Sequence, residues 1–234
     1  MLPDFTQRSD EDEHMEDPSL SAETLRETTD AIERLSKLSG GDRASRLGLE
    51  RLVDRDMSRL SVLDVGTGNG AIPRQFAQWG RRNGIQMDIV GIDRLGSAVE
   101  QARRECAGIE GVSFEQCDLF DLDPGMRRFD VVHASLVLHH FDHDEAVRAL
   151  DNMAALSKLG VLVNDLHRHP VHWVGSKVVI PLLTRNEISH HDGPVSILRA
   201  FTRRELVDLA QQADFSSFTL EWVFPFRWLL VGRR

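Results

Sequence analysis

Tyrosine is absent from this 234-residue chain, and cysteine occurs only twice, as Cys106 and Cys117. The first absence removes the phenol from any list of catalytic acids and bases. Two cysteines are too few for a disulfide framework, so a reducing, cytoplasmic setting is expected. No apolar run nears the ~20 residues that span a bilayer, and the N-terminus is acidic where a secretion signal would be basic. A basic stripe is missing too: the net charge is −9, and residues 1–17 carry seven acids against Arg8. Without a positive track for phosphates, nucleic acid is a poor partner. What remains, 41% apolar and 28% charged residues, suits one soluble α/β unit with a sizeable core.

That unit is organised around Ser61-Val-Leu-Asp-Val-Gly-Thr-Gly-Asn-Gly-Ala-Ile72. The apolar run Val62, Leu63, Val65 reads as a buried parallel strand. It meets three alternating glycines, Gly66, Gly68 and Gly70, and Pro73 then sits in the first turn of a helical pattern. Such a turn brings backbone close to a ligand and aims unpaired helix N–H groups at an acidic moiety. The glycine spacing alone leaves the nucleotide open, because Gly66-x-Gly68-x-x-Ala71 also satisfies the dinucleotide fingerprint of an NAD-dependent oxidoreductase. Asp64 tilts the choice: a carboxylate at the end of a buried strand needs a partner. A ligand's ammonium group would serve, as would backbone N–H groups of the turn.

Two more carboxylates follow the same rule. Met87–Ile92 reads as a second strand ending in Asp93, placed to accept from two ribose hydroxyls. Val112–Leu119 reads as a third strand and its exit, with Asp118 placed either toward a ligand or as a turn residue before Asp123-Pro124-Gly125. Three acids at the exits of three successive strands mark the carboxyl edge of an open α/β sheet, where ligands bind.

With these residues in place the chain resembles the class I S-adenosylmethionine (SAM) dependent methyltransferases, over about residues 58–234. The resemblance implies a Rossmann-like fold: a seven-stranded, mostly parallel sheet with an antiparallel C-terminal strand, plus N-terminal helices. It implies SAM as cofactor, held by Asp64, Gly66, Thr67, Gly68, Asn69, Gly70, Asp93, Arg94, Asp118, Leu119 and His133. Phe129–Ala134 would be the fourth strand, and the Leu138-His139-His140-Phe141 exit is similar to that of small-molecule methyltransferases. It lacks the Asn/Asp-Pro-Pro-Tyr signature of enzymes that methylate bases or glutamine. Lys158–Asp165 would be the fifth strand, and Phe218–Phe224 with Arg227–Val231 the terminal antiparallel pair, which favours a methyltransferase over a dehydrogenase. A non-catalytic partner subunit of the same fold is a third possibility, against which the intact Asp64, Asp93 and Asp118 argue.

Around this unit, residues 1–18 read as an acidic, flexible arm. Residues 19–57 read as a helical cap, starting at Ser21 and broken at Gly40-Gly41. Residues 171–183 read as an apolar helix over the substrate pocket, His190–Pro194 as a loop, and Thr202–Glu205 as a capping box. The acceptor implied is a hydrophobic small molecule, a phenol, quinol or polyketide-type ring methylated on oxygen. The acceptor's proton needs a base, and the candidates are His139, His140 and His167. Adjacent His139 and His140 are expected not to face one point. The late histidines and acids show no zinc-protease spacing, so no metal is expected. The assembly is expected to be a monomer or homodimer.

Overall fold

The computed structural model describes residues 2–17, 19–54 and 56–234. The two ends of the expected arm, residues 1 and 18, lie outside the described residues. Seven strands form one sheet: β1 (Arg59–Val65), β2 (Gln86–Asp93), β3 (Val112–Gln116), β4 (Phe129–Ser135), β5 (Ser157–Leu166), β6 (Ser217–Val223) and β7 (Arg227–Arg233). Their order is β3-β2-β1-β4-β5-β7-β6. The first five are parallel, and β7 runs antiparallel between β5 and β6. The order reverses between β1 and β4, which opens a crevice at the carboxyl ends of the parallel strands.

Alternation along β1 shows how the sheet is buried on both faces. Leu60 and Val62 face α2 (Gly41–Leu52) and α3 (Ala71–Asn83). Leu63 and Val65 face α5 (His143–Leu156) and α8 (Arg203–Gln212). Each such side chain withdrawn from water is worth about 1.5–3 kcal/mol. The residue between them, Asp64, shares the α2 face with His133, its register partner on β4.

Helix boundaries follow local chemistry. Ser21 caps α1 (Ala22–Leu38) by accepting from Thr24 N, and Asp142 and Thr202 head capping boxes with Glu145 and Glu205. The second cap helix stops at Leu52, short of Asp56. The expected loop at residues 190–194 is instead part of a helix, α7 (Glu187–Arg199). Asn186 caps it by accepting from Ser189 N, and Gly193 serves packing: a Cβ there would collide with Ile180 Cδ1 on α6 (Pro170–Leu183). Turn-type residues here allow two helices to close up. Helix α6 turns Ser176 and Ile180 inward, whereas Val178 and Leu182 are exposed. No helix among the described residues is long and apolar enough to cross a membrane.

The acidic arm is not a solvated tail. Arg8 donates to the carbonyls of Arg199 (2.6 Å) and His139 (2.7 Å) and lies 3.9 Å from the centre of the Phe201 ring. Asp192 accepts from the backbone N–H groups of His14 and Met15, both at 2.9 Å. Its charge pattern suggested solvation, but the partners that bind it come from α7 and the β4 exit, about 130–190 residues away in sequence.

Candidate active site

The crevice holds a cavity of about 610 Å³ that runs from the glycine turn to the β4 exit under α1, α6 and the arm. At one end, Gly66 (φ +63°) and Gly68 (φ +52°) hold the turn in the left-handed region. A Cβ on Gly68 would meet nothing within 4 Å, so the chain leaves room there for a ligand. Gly70 (φ +76°) does not line the cavity; a Cβ on it would stand 2.8 Å from Cys106 Sγ, so its bareness serves packing of α4 (Gly96–Glu105).

Asp93 ends β2 and accepts from Gly68 N and Leu95 N, both at 3.0 Å. Burial raises its pKa despite these two bonds. It lines the cavity together with Arg94, Asp118 and Leu119. Asp118 caps the next turn through Phe120 N at 2.9 Å while lining the cavity. Asn69 and Arg74 donate to Glu33 of α1 (2.7 and 2.8 Å), and Lys37 donates to the same carboxylate (2.6 Å). The first cap helix thereby closes the glycine-turn end, while α2 packs on the sheet face.

Asp64 finds its partners inside the protein. Thr67 Oγ1 donates to its Oδ2 at 2.7 Å, and His133 Nδ1 stands 2.7 Å from its Oδ1. His133 is fully buried, contacts Ser45 through Nε2 at 2.9 Å and does not line the cavity. Its expected place among the cofactor contacts is therefore corrected: it orients Asp64. The pairing of Asp64 and His133 was open to sequence parity, since both sit two residues past an α2-facing valine, Val62 and Val131.

At the other end, a short 3-10 turn over Leu138–His140 brings both histidines to the cavity, their ring centres 4.3 Å apart. The expectation that adjacent residues would not face one point is not met: both rings line the cavity, although three residues per turn set neighbouring side-chain directions ~120° apart. His139 is buried between carboxylates: Nδ1 to Asp165 Oδ1 is 2.6 Å, and Nε2 to Glu13 Oε1 is 3.5 Å. Burial works against its charged form, but Asp165 and Glu13 outweigh that and push its pKa up to about 9. Burial likewise opposes the Glu13 charge, which His139 and His140 nonetheless hold at about 2. Glu13, His139 and His140 each present a potential ligand atom within 4.8 Å of the others, a set split between arm and β4 exit. His167 is a correction: it lies outside the cavity with its ring 4.7 Å from Trp228, and burial, then His169 and Arg168, lower its pKa to about 4.

Three wall residues escaped the sequence reading. His172 on α6 stacks on Phe226 (5.0 Å, 8°), and burial lowers its pKa to about 4. Its Nδ1 bonds the His167 carbonyl at 3.1 Å; since a carbonyl only accepts, Nδ1 carries the proton and Nε2 the lone pair. Leu136 (φ +59°) and Phe226 (φ +54°) hold strained backbone, and both line the cavity.

The turn, the Asp93 and Asp118 carboxylates and the open space at Gly68 fit an adenosine-type ligand with an amino-acid tail. A family model described as a methyltransferase domain matches residues 56–172, half of the chain. No curated protein matches the sequence. Among solved structures, human N-acetylserotonin methyltransferase in complex with SAM is 18% identical, with a TM-score of 0.66 over 92% of this chain and 56% of that one. An O-methyltransferase family protein from Burkholderia thailandensis is 24% identical, TM-score 0.60, over 88% and 58%. The plantazolicin methyltransferase, in complex with a monoazolic desmethyl-plantazolicin analogue and S-adenosylhomocysteine (SAH), is 13% identical, TM-score 0.68, over 89% and 90%. At such identities the likeness is one of fold, and the chain spans little more than half the length of the human and Burkholderia proteins.

Proposed function

The chain belongs to the methyltransferase-domain family of class I SAM-dependent enzymes, and on that premise we propose that it transfers the cofactor's methyl group to oxygen on a hydrophobic small molecule. A phenol, quinol or polyketide-type hydroxyl is the acceptor that suits the site. The observation that carries this reading is the continuity of one cavity from Gly68 and Asp93 to His140 beneath the apolar face of α6. The likeness to O-methyltransferases supports the choice of oxygen.

When bound, SAM supplies a methyl group on a cationic sulfur that is itself a good leaving group. The chain's own work is to align and to handle one proton. In this reading Asp93 accepts from the ribose hydroxyls, Asp118 from the adenine amino group, and the Gly66–Asn69 backbone holds the amino-acid tail. Asp64 shapes the turn through Thr67. His139 carries a proton at neutral pH and therefore does not take one; it is a positioning residue. His140, half-buried on the cavity wall, takes the acceptor's hydroxyl proton on a ring nitrogen.

Calorimetry with SAH and NAD, followed by methyl transfer from labelled SAM to phenols, hydroquinones and naphthols, tests the reading. SAH binding and labelled methyl ethers are expected. Binding of NAD without SAH would refute it, and SAH binding without any methylated product would favour the non-catalytic partner.

A further inference from the structure

Arg227 opens β7 and lines the cavity at 2% exposure, yet its charge has no close partner. Only Nη2 is engaged, by the hydroxyls of Ser39 (2.8 Å) and Ser36 (3.4 Å). Nε and Nη1, which carry three of the five N–H groups, have no hydrogen-bond partner among the described residues. Among the described residues no carboxylate lies within ion-pair distance of it; Asp165 and Asp42 act only from further off. Burial brings its pKa down to about 10, which still leaves it charged at neutral pH. A buried, unpaired guanidinium costs several kcal/mol, so its retention points to a partner that arrives with the ligand.

Its surroundings describe that partner. The Phe226 ring and the stacked His172 imidazole give a flat aromatic face on the same cavity, with His172 near enough to feel the guanidinium's charge. His172 adds no charge there, because its pKa lies near 4. Apolar α6 residues such as Val179 and Ile180 complete the wall. An anion on an apolar, planar body matches all of these. The cofactor's own carboxylate is the other possible anion. The backbone of Arg227 lies three strand spacings, ~14 Å, from the glycine turn on β1, but its guanidinium reaches Ser36 of α1, one helical turn from the Glu33 that holds Asn69 of that turn. SAH affinity in an Arg227 variant therefore distinguishes the two anions.

We propose that Arg227 receives a carboxylate carried by the methyl acceptor, so that the substrate class is an aromatic or otherwise apolar acid with a hydroxyl group. This rests on the methyltransferase reading above and narrows its acceptor. The charge-assisted bonds set the acceptor's orientation, and planar guanidinium suits carboxylate better than lysine would.

The test compares acids with their methyl esters, using benzoate, 4-hydroxybenzoate and 3-hydroxy-2-naphthoate as probes in calorimetry on the SAH-loaded chain. At least one acid should bind tenfold or more tightly than its ester. In Arg227→Met that preference should vanish, with ester and SAH affinities within twofold of wild type; Arg227→Lys should retain part of it. No acid binding better than its ester in the wild type would overturn the proposal, and that comparison needs no variant to fold. A preference that survives in Arg227→Met would also overturn it, as would parallel loss of SAH affinity in a folded Arg227→Met, which would assign the arginine to the cofactor's carboxylate. If the wild type failed to bind SAH, the methyltransferase reading would fall, and the acid–ester comparison on the unliganded chain would still read Arg227.

Discussion

Replacing Glu13 by Gln probes the least expected contact in the molecule, an arm residue 4% exposed against the His139 ring. A glutamate that titrates at 4.5 in solvent is held here at about 2, which corresponds to about 3 kcal/mol from its partners. At 3.5 Å the His139 contact is an ion pair more than a well-formed hydrogen bond. Glutamine also keeps the shape of the side chain. The expected loss is therefore about 2 kcal/mol at pH 7, or ~4–8 °C in melting temperature for a chain of this size. The sign with pH follows from both partners. The Glu13 pKa is depressed, so its contribution is present above 4.5 and fades as pH falls toward 2. The His139 pKa is raised, so its contribution is full below 6.5 and is lost as pH rises through about 9. The stability gap between wild type and Glu13→Gln should hence be widest between pH 4.5 and 6.5 and shrink on either side. Urea unfolding across pH, with the His139 ring titration followed by NMR, measures it. Equal stability at pH 6 together with an unchanged His139 titration would refute the docked-arm electrostatics.

Asp93→Ala should weaken SAH binding by ~10–150-fold, the range for hydrogen bonds to a charged group, as read by calorimetry; unchanged affinity would remove Asp93 from the site. His140→Ala should lower kcat at least ~tenfold on a phenolic acceptor with SAH affinity preserved, at the low end of general-base effects because water substitutes in part. His167→Ala, outside the cavity, should leave kcat and SAH affinity near wild type, and a loss matching that of His140→Ala would reverse the assignment.

By itself the sequence determined the parts whose signals are local. The glycine turn, the strand-end acids Asp93 and Asp118, and the capping box at Thr202 rest on neighbours within a few residues, and backbone preference decides them. The sheet, too, was legible, because apolar runs bounded by turns recur along the chain. Tertiary structure alone decided what each buried charge meets. Asp64 needed a partner, a ligand's ammonium or the turn's own N–H groups, and only the fold shows that His133 of β4 and the Thr67 hydroxyl stand beside it. The acidic arm looked solvated until α7 offered Asp192 and Arg199, whose guanidinium bonds the Glu11 carbonyl at 3.0 Å. The Asp192-Gly-Pro194 stretch reads as a breaker on propensity, yet Gly193 lies in a helix because Ile180 of another helix needs the space. Arg227 read as the first residue of a strand, and nothing near it in sequence says that two of its three nitrogens would lack a partner. Charges are settled by neighbours in space: burial makes an unpaired charge costly, and only the folded chain shows which group removes that cost and which is left for a ligand.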